Sequence, residues 1–382
     1  MSLEERLRRW FGDDEPTRLG SGWTSGVLAV FLGAVGLAAV VCFHFPSLLT
    51  MPELRAVYPM RLVRTAVEIV IGAAFLLGLL SLALRRRKVL GTTGVALALA
   101  AGLAGGGAVE VDGPVARSPY LGLDWFLLNI LMLCVVFVPL EKLVPLRPRG
   151  FFRAGWATDG VYFLASHLLV QVSTLLTLAP ATVLFAWARS ERVTAAVAAW
   201  PVLVQFVAIV LVADLAEYGI HRLFHRVPWL WPFHEVHHSS REMDWLAGSR
   251  LHLVDVVATR GFTFLPIHLL GFERGPVVAY LAFVSVHAVF IHANVRLRFG
   301  GLERLVVTPH FHHWHHAEER AAVDRNFAVH FPWIDRLFGT FHAPLERWPE
   351  RYGVAPDRVP DGYLAQLAFP FAPTPDETEP SR

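Results

Sequence analysis

Fourteen of the eighteen histidines in this chain lie between His221 and His316. They form three closely spaced sets, HRLFH, HEVHH and HHWHH, rather than one continuous tract. Histidine is the commonest metal ligand among protein side chains, so sets of this kind point to metal chemistry. The candidate ligands are His221, His225, His234, His237, His238, His312, His315 and His316.

The spacing within each set places its histidines on one face of a helix. Two lie four residues apart in the first set, and three lie at positions i, i+3 and i+4 in the second and third sets. One metal ion usually takes three or four protein ligands, so eight converging imidazoles predict two metal ions. Packing remains the better interpretation for the lone histidines, His167, His268, His287, His330 and His342.

The third set allows two assignments of its metal ligands. His310 and His313 also stand three residues apart. Only His312, His315 and His316 repeat the pattern of the second set, so we favour them as the ligands.

Two carboxylates precede the first set on the same helical face. Asp214 and Glu217 lie seven and four residues before His221. They can orient an imidazole through its far nitrogen, and a salt bridge with Arg222 or Arg226 is an equal alternative. Weaker candidates for the same supporting role are Tyr218, Glu235, Asp244 and Asp255.

Composition indicates a membrane protein. Hydrophobic residues make up 54% of the 382 residues and charged residues 17%, and the mean hydropathy is +0.45. The net charge of +2 gives no sign of a nucleic-acid partner. Both cysteines lie in apolar runs, which excludes a disulfide framework.

Apolar runs of about 20 residues, enough to cross a bilayer, define the elements that must position the histidines. The first residues form an amphipathic lead-in to them. A shorter apolar pair, 262–270 and 277–291, predicts a helical hairpin that does not cross fully. The predicted spans are 23–43, 62–84, 89–109, 121–140, 161–187 and 202–220.

Basic residues predict the orientation of these spans. With the N-terminus in the cytoplasm, the cytoplasmic connections hold most of the arginines and lysines, as the positive-inside rule requires. His221 and the residues after it then lie at the cytoplasmic face. Pro228 and Pro232 interrupt the helix between the first two sets and let the chain fold back. The expected fold is an all-α, polytopic transmembrane helix bundle with a histidine-rich metal domain at that face.

The three sets resemble the histidine boxes of the fatty acid hydroxylase/sterol desaturase superfamily, whose members are integral-membrane non-haem di-iron oxygenases. The likeness covers residues 149–345 and includes RLH at Arg250–His252, HANV at His292–Val295 and the closing segment Arg325–Phe341. The resemblance implies that the eight histidines bind two iron ions. It adds His292 as a ninth ligand and His252 as a supporting residue.

The apolar runs, the extent of the resemblance and the Pro- and Glu-rich end of the chain together predict a domain organisation. Residues 1–145 form an N-terminal membrane region of about four helices, residues 146–345 the catalytic domain, and residues 346–382 a partly disordered tail. The soluble di-iron pattern, which uses glutamate ligands, does not transfer to this chain.

We therefore expect a membrane enzyme that hydroxylates, or alternatively desaturates, a lipid with O2. No haem-binding module is visible, so electrons would come from a separate carrier such as a cytochrome b5-like protein, a ferredoxin or a reductase. The abundance of arginine over lysine points to a bacterial inner membrane. Two alternatives remain: a histidine-rich metal transporter or sensor, and a metal-dependent hydrolase.

Overall fold

Helices are the regular elements of the computed structural model, which describes residues 20–111, 120–150, 152–168, 176, 182–354 and 358–372. Within these ranges the only β-structure is two isolated bridges, which confirms the prediction of an all-α fold. The α-helices are α1 Trp23–His44, α2 Pro46–Leu49, α3 Pro52–Arg55, α4 Met60–Leu84, α5 Val89–Leu103, α6 Leu123–Leu143, α7 Trp156–Leu168, α8 Glu191–Ala198, α9 Val202–Arg226, α10 Trp231–His238, α11 Leu253–Leu270, α12 Arg274–His292, α13 Pro309–His315, α14 Pro332–Leu337 and α15 Tyr363–Ala368.

Seven helical segments among the described residues are long and apolar enough to cross a membrane. Six of them are α1, α4, α6, α9, α11 and α12, and the seventh, Val89–Ala108, joins α5 to a following 3₁₀ turn. The predicted multi-pass helical architecture is therefore confirmed. Three predicted features lie wholly or partly outside the described residues: the lead-in, the stretches 169–175 and 177–181 of the predicted span 161–187, and the tail after Ala372.

The predicted hairpin, 262–270 and 277–291, underestimated the lengths of its two helices. Helices α11 and α12 have 18 and 19 residues, enough to span a membrane. Helix α11 begins at Leu253. The prediction began at residue 262 because Asp255 and Arg260, in the first turns of the helix, interrupt the apolar pattern. The carboxylate of Asp255 is buried and faces a histidine, so its polarity serves the site rather than ending the helix.

The chain divides into two compact units, the first formed by residues 1–134 and 167–171. Its helices α1, α4 and α5 pack closely through small residues. A Cβ atom added at Gly94 would lie 2.5 Å from the Cβ of Ala29, and one at Gly33 would lie 2.8 Å from the Cβ of Leu97. The Ala- and Gly-rich composition of the third span thus has its reason in close helix packing.

The second unit comprises residues 135–166 and 172–382. Helices α9, α11 and α12 form its apolar core around Ile209, Ala213, Ile267 and Tyr280. Helix α9 ends at Arg226, and after Pro228 the chain starts α10 with Pro232 in its first turn. This break folds the second histidine set back toward the first, as the two prolines predicted.

Candidate metal centre

The nine predicted ligands converge in the second unit as two groups of imidazoles. Within each group the nitrogen atoms available for coordination all lie within 4.8 Å of one another. We call them the first and the second group. The first group is His221, His225, His234, His238 and His315, and the second group is His237, His292, His312 and His316.

Distances between ring nitrogens match those of ligands that share a metal ion. Metal–imidazole bonds of about 2.0–2.1 Å put two nitrogens about 3.0 Å apart at a right angle and about 3.4 Å apart in a tetrahedron. The Nε2 atoms of His221 and His234 are 3.0 Å apart, and those of His234 and His238 are 3.2 Å apart. In the second group the Nε2 separations are 3.3 Å for His237–His292, 3.0 Å for His292–His312 and 3.1 Å for His312–His316.

Most of these rings are oriented by a hydrogen bond on the opposite nitrogen. An Nδ1–H that donates to an oxygen leaves the Nε2 lone pair facing the group, which is the form that binds a metal. The Nδ1 acceptors are Phe327 O for His221 at 2.8 Å, Asp324 Oδ1 for His225 at 3.3 Å, Asp255 Oδ2 for His234 at 2.7 Å, Arg250 O for His237 at 3.0 Å, Ala288 O for His292 at 2.7 Å and Arg325 O for His315 at 2.8 Å.

Burial keeps the imidazoles neutral. Among the ligands outside the spans, loss of solvation and then the neighbouring imidazoles hold the pKa of His237, His238, His312, His315 and His316 well below its ordinary value. The Nε2 atoms of His225 and His315 are buried without a hydrogen-bond partner among the described residues. Neutral rings with unpaired nitrogens at this spacing fit bound metal ions.

A strained segment, Asp324–Phe327, supplies three of the Nδ1 acceptors, all to the first group. Asp324 and Asn326 adopt left-handed backbone conformations, with φ of 58° and 60°, at a cost of roughly 1–2 kcal/mol each. The buried side chain of Asn326 bonds the carbonyls of Phe311 (3.0 Å) and His342 (2.6 Å) and the amide of His342 (2.7 Å). At about 1 kcal/mol per hydrogen bond, these contacts offset the strain.

A buried ionic network fixes the Arg250 carbonyl, which accepts the Nδ1–H of His237. Arg250 donates from Nε to Asp159 at 2.5 Å, and Arg153 bonds both Asp159 and Asp244. This fixes the loop whose Arg250 carbonyl faces the His237 ring. The same loop passes His292 so closely that a Cβ atom at Gly248 would lie 2.8 Å from that ring. Glycine is therefore required here by space.

Four of the supporting residues predicted from sequence form no hydrogen bond with the candidate metal ligands among the described residues. Asp214 accepts the backbone amides of Val329 (2.8 Å) and Phe331 (2.6 Å), and the Tyr218 hydroxyl contacts Thr340 and Arg222. His252 caps α11 by accepting the amide of Val254. Glu217 makes no hydrogen bond within the described part of the chain, and neither carboxylate forms the alternative salt bridge there.

The weaker candidates differ in whether they contact a histidine of the two groups. Asp255 contacts His234, whereas Glu235 pairs with Arg358 and Asp244 with Arg153. Sequence reasoning missed Asn326 and the carbonyls of Arg250, Ala288, Arg325 and Phe327. Backbone oxygens have no signature in a sequence; the only signal for Asn326 was its place in the closing segment that resembles the superfamily.

Two histidines in or beside the third set lie outside the two groups and have other partners. His310 bonds the carbonyl of Arg347, and His313 bonds the hydroxyl of Tyr352. The two therefore face away from the groups, and the geometry favours the register that starts at His312. His167, His268, His287, His330 and His342 also lie outside both groups.

Comparison with known proteins gives one family and several relatives. Residues 206–340 match the fatty acid hydroxylase family. The chain is 33% identical over 174 residues to ornithine lipid hydroxylase OlsE of Rhizobium tropici, which covers 45% of this chain and 52% of the relative. It is 31% identical over 134 residues to human alkylglycerol monooxygenase, covering 35% of this chain and 30% of the relative.

A third relative is cholesterol 25-hydroxylase of Mus musculus, 27% identical over 248 residues, with 60% of this chain and 79% of the relative covered. The chain thus spans about half or less of the length of the first two relatives. No solved structure is significantly similar to it.

The Asp255–His234 contact gives a first prediction. Asp255→Asn replaces a charged acceptor of the His234 N–H by a neutral one, so we expect the affinity for Fe²⁺ to fall about tenfold, the low end for such outer contacts. Competition with a chelator measures it. The exposed Asp361→Asn variant is the control, and equal affinities of the two variants would contradict the assigned role.

The register of the third set gives a second prediction. His312→Gln should reduce bound iron from about two ions per chain to about one, because it removes a member of the four-residue second group. His310→Gln, in the same helix, should retain the full content. Metal analysis of the purified variants checks both, and the reverse pattern would place the ligands in the other register.

Proposed function

We propose that this chain, which belongs to the fatty acid hydroxylase superfamily through its domain at residues 206–340, is a membrane-bound non-haem di-iron enzyme that hydroxylates a lipid. The convergence of nine imidazoles in two groups, at the ends of apolar helices, is the observation that carries this proposal. Relatives named as hydroxylases and a monooxygenase favour hydroxylation over desaturation.

The two groups provide one iron site each. Imidazole suits iron, zinc, copper and nickel alike, and family membership favours iron among these. When bound, the pair of iron ions supplies the activation of O2 and the cleavage of a C–H bond. His221, His225, His234, His238 and His315 would hold one ion, and His237, His292, His312 and His316 the other.

The protein's own contribution is to hold the imidazoles in one orientation before any metal arrives. Asp255 and the carbonyls of Phe327 and Arg250 fix ring positions through Nδ1, so little rearrangement is needed on binding. The second group is entirely buried, which excludes bulk water from that half of the centre. Dry surroundings limit side reactions of activated oxygen.

The substrate class follows from the relatives and the setting. The three relatives are named for an ornithine lipid, an alkylglycerol and cholesterol. A lipid substrate suits an active site carried by membrane helices. Of the two atoms of O2, one enters the C–H bond and the other is reduced to water. The two electrons come from a separate donor such as a cytochrome b5-like protein, a ferredoxin or a reductase, and the two protons come from the solvent.

A metal transporter is the weaker candidate. Transporters place their ligands near the bilayer midplane. Here His221 and His225 occupy the last turns of α9, and His292 is the last residue of α12. The remaining ligands lie in segments outside the seven spans, and the comparisons give no support to transport. The distribution of basic residues favours a centre on the cytoplasmic side, and the abundance of arginine over lysine favours a bacterial inner membrane.

The decisive experiment supplies oxygen-18 gas to membranes that contain the iron-loaded protein and a reducing system. We expect one labelled oxygen atom in a membrane lipid, because the centre inserts oxygen from O2. His237→Ala should abolish the product, since it removes a ligand of the second group, whereas His342→Ala, outside both groups, should retain it. Lipid mass spectrometry measures both.

Loss of two hydrogens without labelled oxygen would show a desaturase instead. Unchanged lipids, together with metal flux across proteoliposomes, would indicate that the protein is a transporter and not a hydroxylase.

A further inference from the structure

A cavity of about 390 Å³ opens directly onto the first group of histidines. His225, His238 and His315 form its inner wall, and no member of the second group lines it. The unpaired Nε2 atoms of His225 and His315 belong to this same group. A molecule in the cavity therefore reaches the first group without crossing the second.

The cavity lies at the end of the spans rather than along them. Of its lining residues only His225 and Arg226 belong to a membrane helix, and they are the last two residues of α9. The others come from the segments 228–238, 315–324 and 353–354, which lie outside all seven spans. A hydrocarbon core is about 30 Å thick. The cavity therefore sits at headgroup depth, far from the middle of an acyl chain.

Charges of both signs border the cavity. Arg226 is exposed and forms no ion pair within the described ranges. In the part of the chain that the structure describes, Glu318 pairs only with Arg351, whose side chain is 79% exposed, so their mutual attraction is weak. Asp324 directs one oxygen to His225, and its side chain is 41% exposed. Arg226, which has no ion-pair partner among the described residues, and two carboxylates beside apolar walls match a headgroup that carries an amine and an acid group.

We infer that the cavity binds the zwitterionic, amine-bearing headgroup of a lipid and that the carbon oxidised at this centre lies in that headgroup or next to it. The ammonium group faces Glu318 and Asp324, and the acid group faces Arg226. The cavity volume falls in the range of small-molecule sites, about 300–1,000 Å³, and suits a headgroup.

This inference rests on the proposed lipid hydroxylation and names its substrate class. In the reaction a C–H bond of the headgroup region breaks and a C–O bond forms. O2 is the oxidant, its second atom leaves as water, the two electrons come from the same separate donor, and the two protons come from the solvent.

The test gives the iron-loaded full chain three lipids in separate vesicles, with O2 and a reducing system. They are an ornithine lipid and dioleoyl phosphatidylethanolamine, which both carry an amine and an acid group, and dioleoyl phosphatidylglycerol, which lacks the amine. Fragmentation in the mass spectrometer locates the added oxygen. We expect oxygen on the headgroup fragment of an amine-bearing lipid and none on the phosphatidylglycerol.

Oxygen found on the acyl fragments would overturn this inference and leave the proposed hydroxylase standing. Oxidation of no lipid, by protein with full iron content, would overturn both.

Two variants test the cavity itself. Arg226→Gln and Glu318→Gln should each raise KM for the amine-bearing lipid about tenfold, the effect of losing one hydrogen bond to a charged group, while iron content stays unchanged. The controls Arg320→Gln and Glu346→Gln make the same charge changes at exposed positions outside the cavity. Equal KM values for variants and controls would show that the headgroup does not bind here.

Discussion

The hydrogen bond from Nδ1 of an imidazole to a fixed oxygen is the interaction on which the rest of this structure depends. It decides which ring nitrogen carries the proton and therefore which one faces a metal. Six of the nine ligands have such a bond, to two carboxylates and four backbone carbonyls. Without it, nine neutral rings in a buried space would form hydrogen bonds among themselves, and the centre would have no defined geometry.

The fold places these oxygens by means that do not themselves touch the centre. Asp214 binds the amides of Val329 and Phe331, and Asp335 binds those of Phe327 and Ala328. Both carboxylates thus hold the segment that begins at Phe327, whose carbonyl oxygen accepts the Nδ1–H of His221. On the other side of the centre, the buried ion pairs around Asp159 fix the loop that serves His237. Buried charges of this kind are retained where they specify one arrangement.

The sequence allowed the helical membrane architecture, the convergence of eight histidines and the break at Pro228 to be predicted, because each depends on side-chain type and local spacing. The ninth histidine, His292, was indicated only by the family resemblance. The sequence did not allow the start of α11 to be placed, since the polar residues Asp255 and Arg260 precede the apolar run 262–270 from which the helix was predicted. Nor did it reveal the supporting role of Asn326, because a left-handed conformation and carbonyl contacts arise only once distant segments meet. Asp214 was assigned to a histidine by helical spacing, yet a long-range segment supplies its partners.

Anomalous diffraction at the iron absorption edge, from crystals of the iron-loaded protein, tests the central claim most directly. We expect two peaks, one enclosed by the Nε2 atoms of His221, His225, His234, His238 and His315 and the other by those of His237, His292, His312 and His316. A single peak, or peaks away from these rings, would contradict a centre of two metal ions held by nine imidazoles.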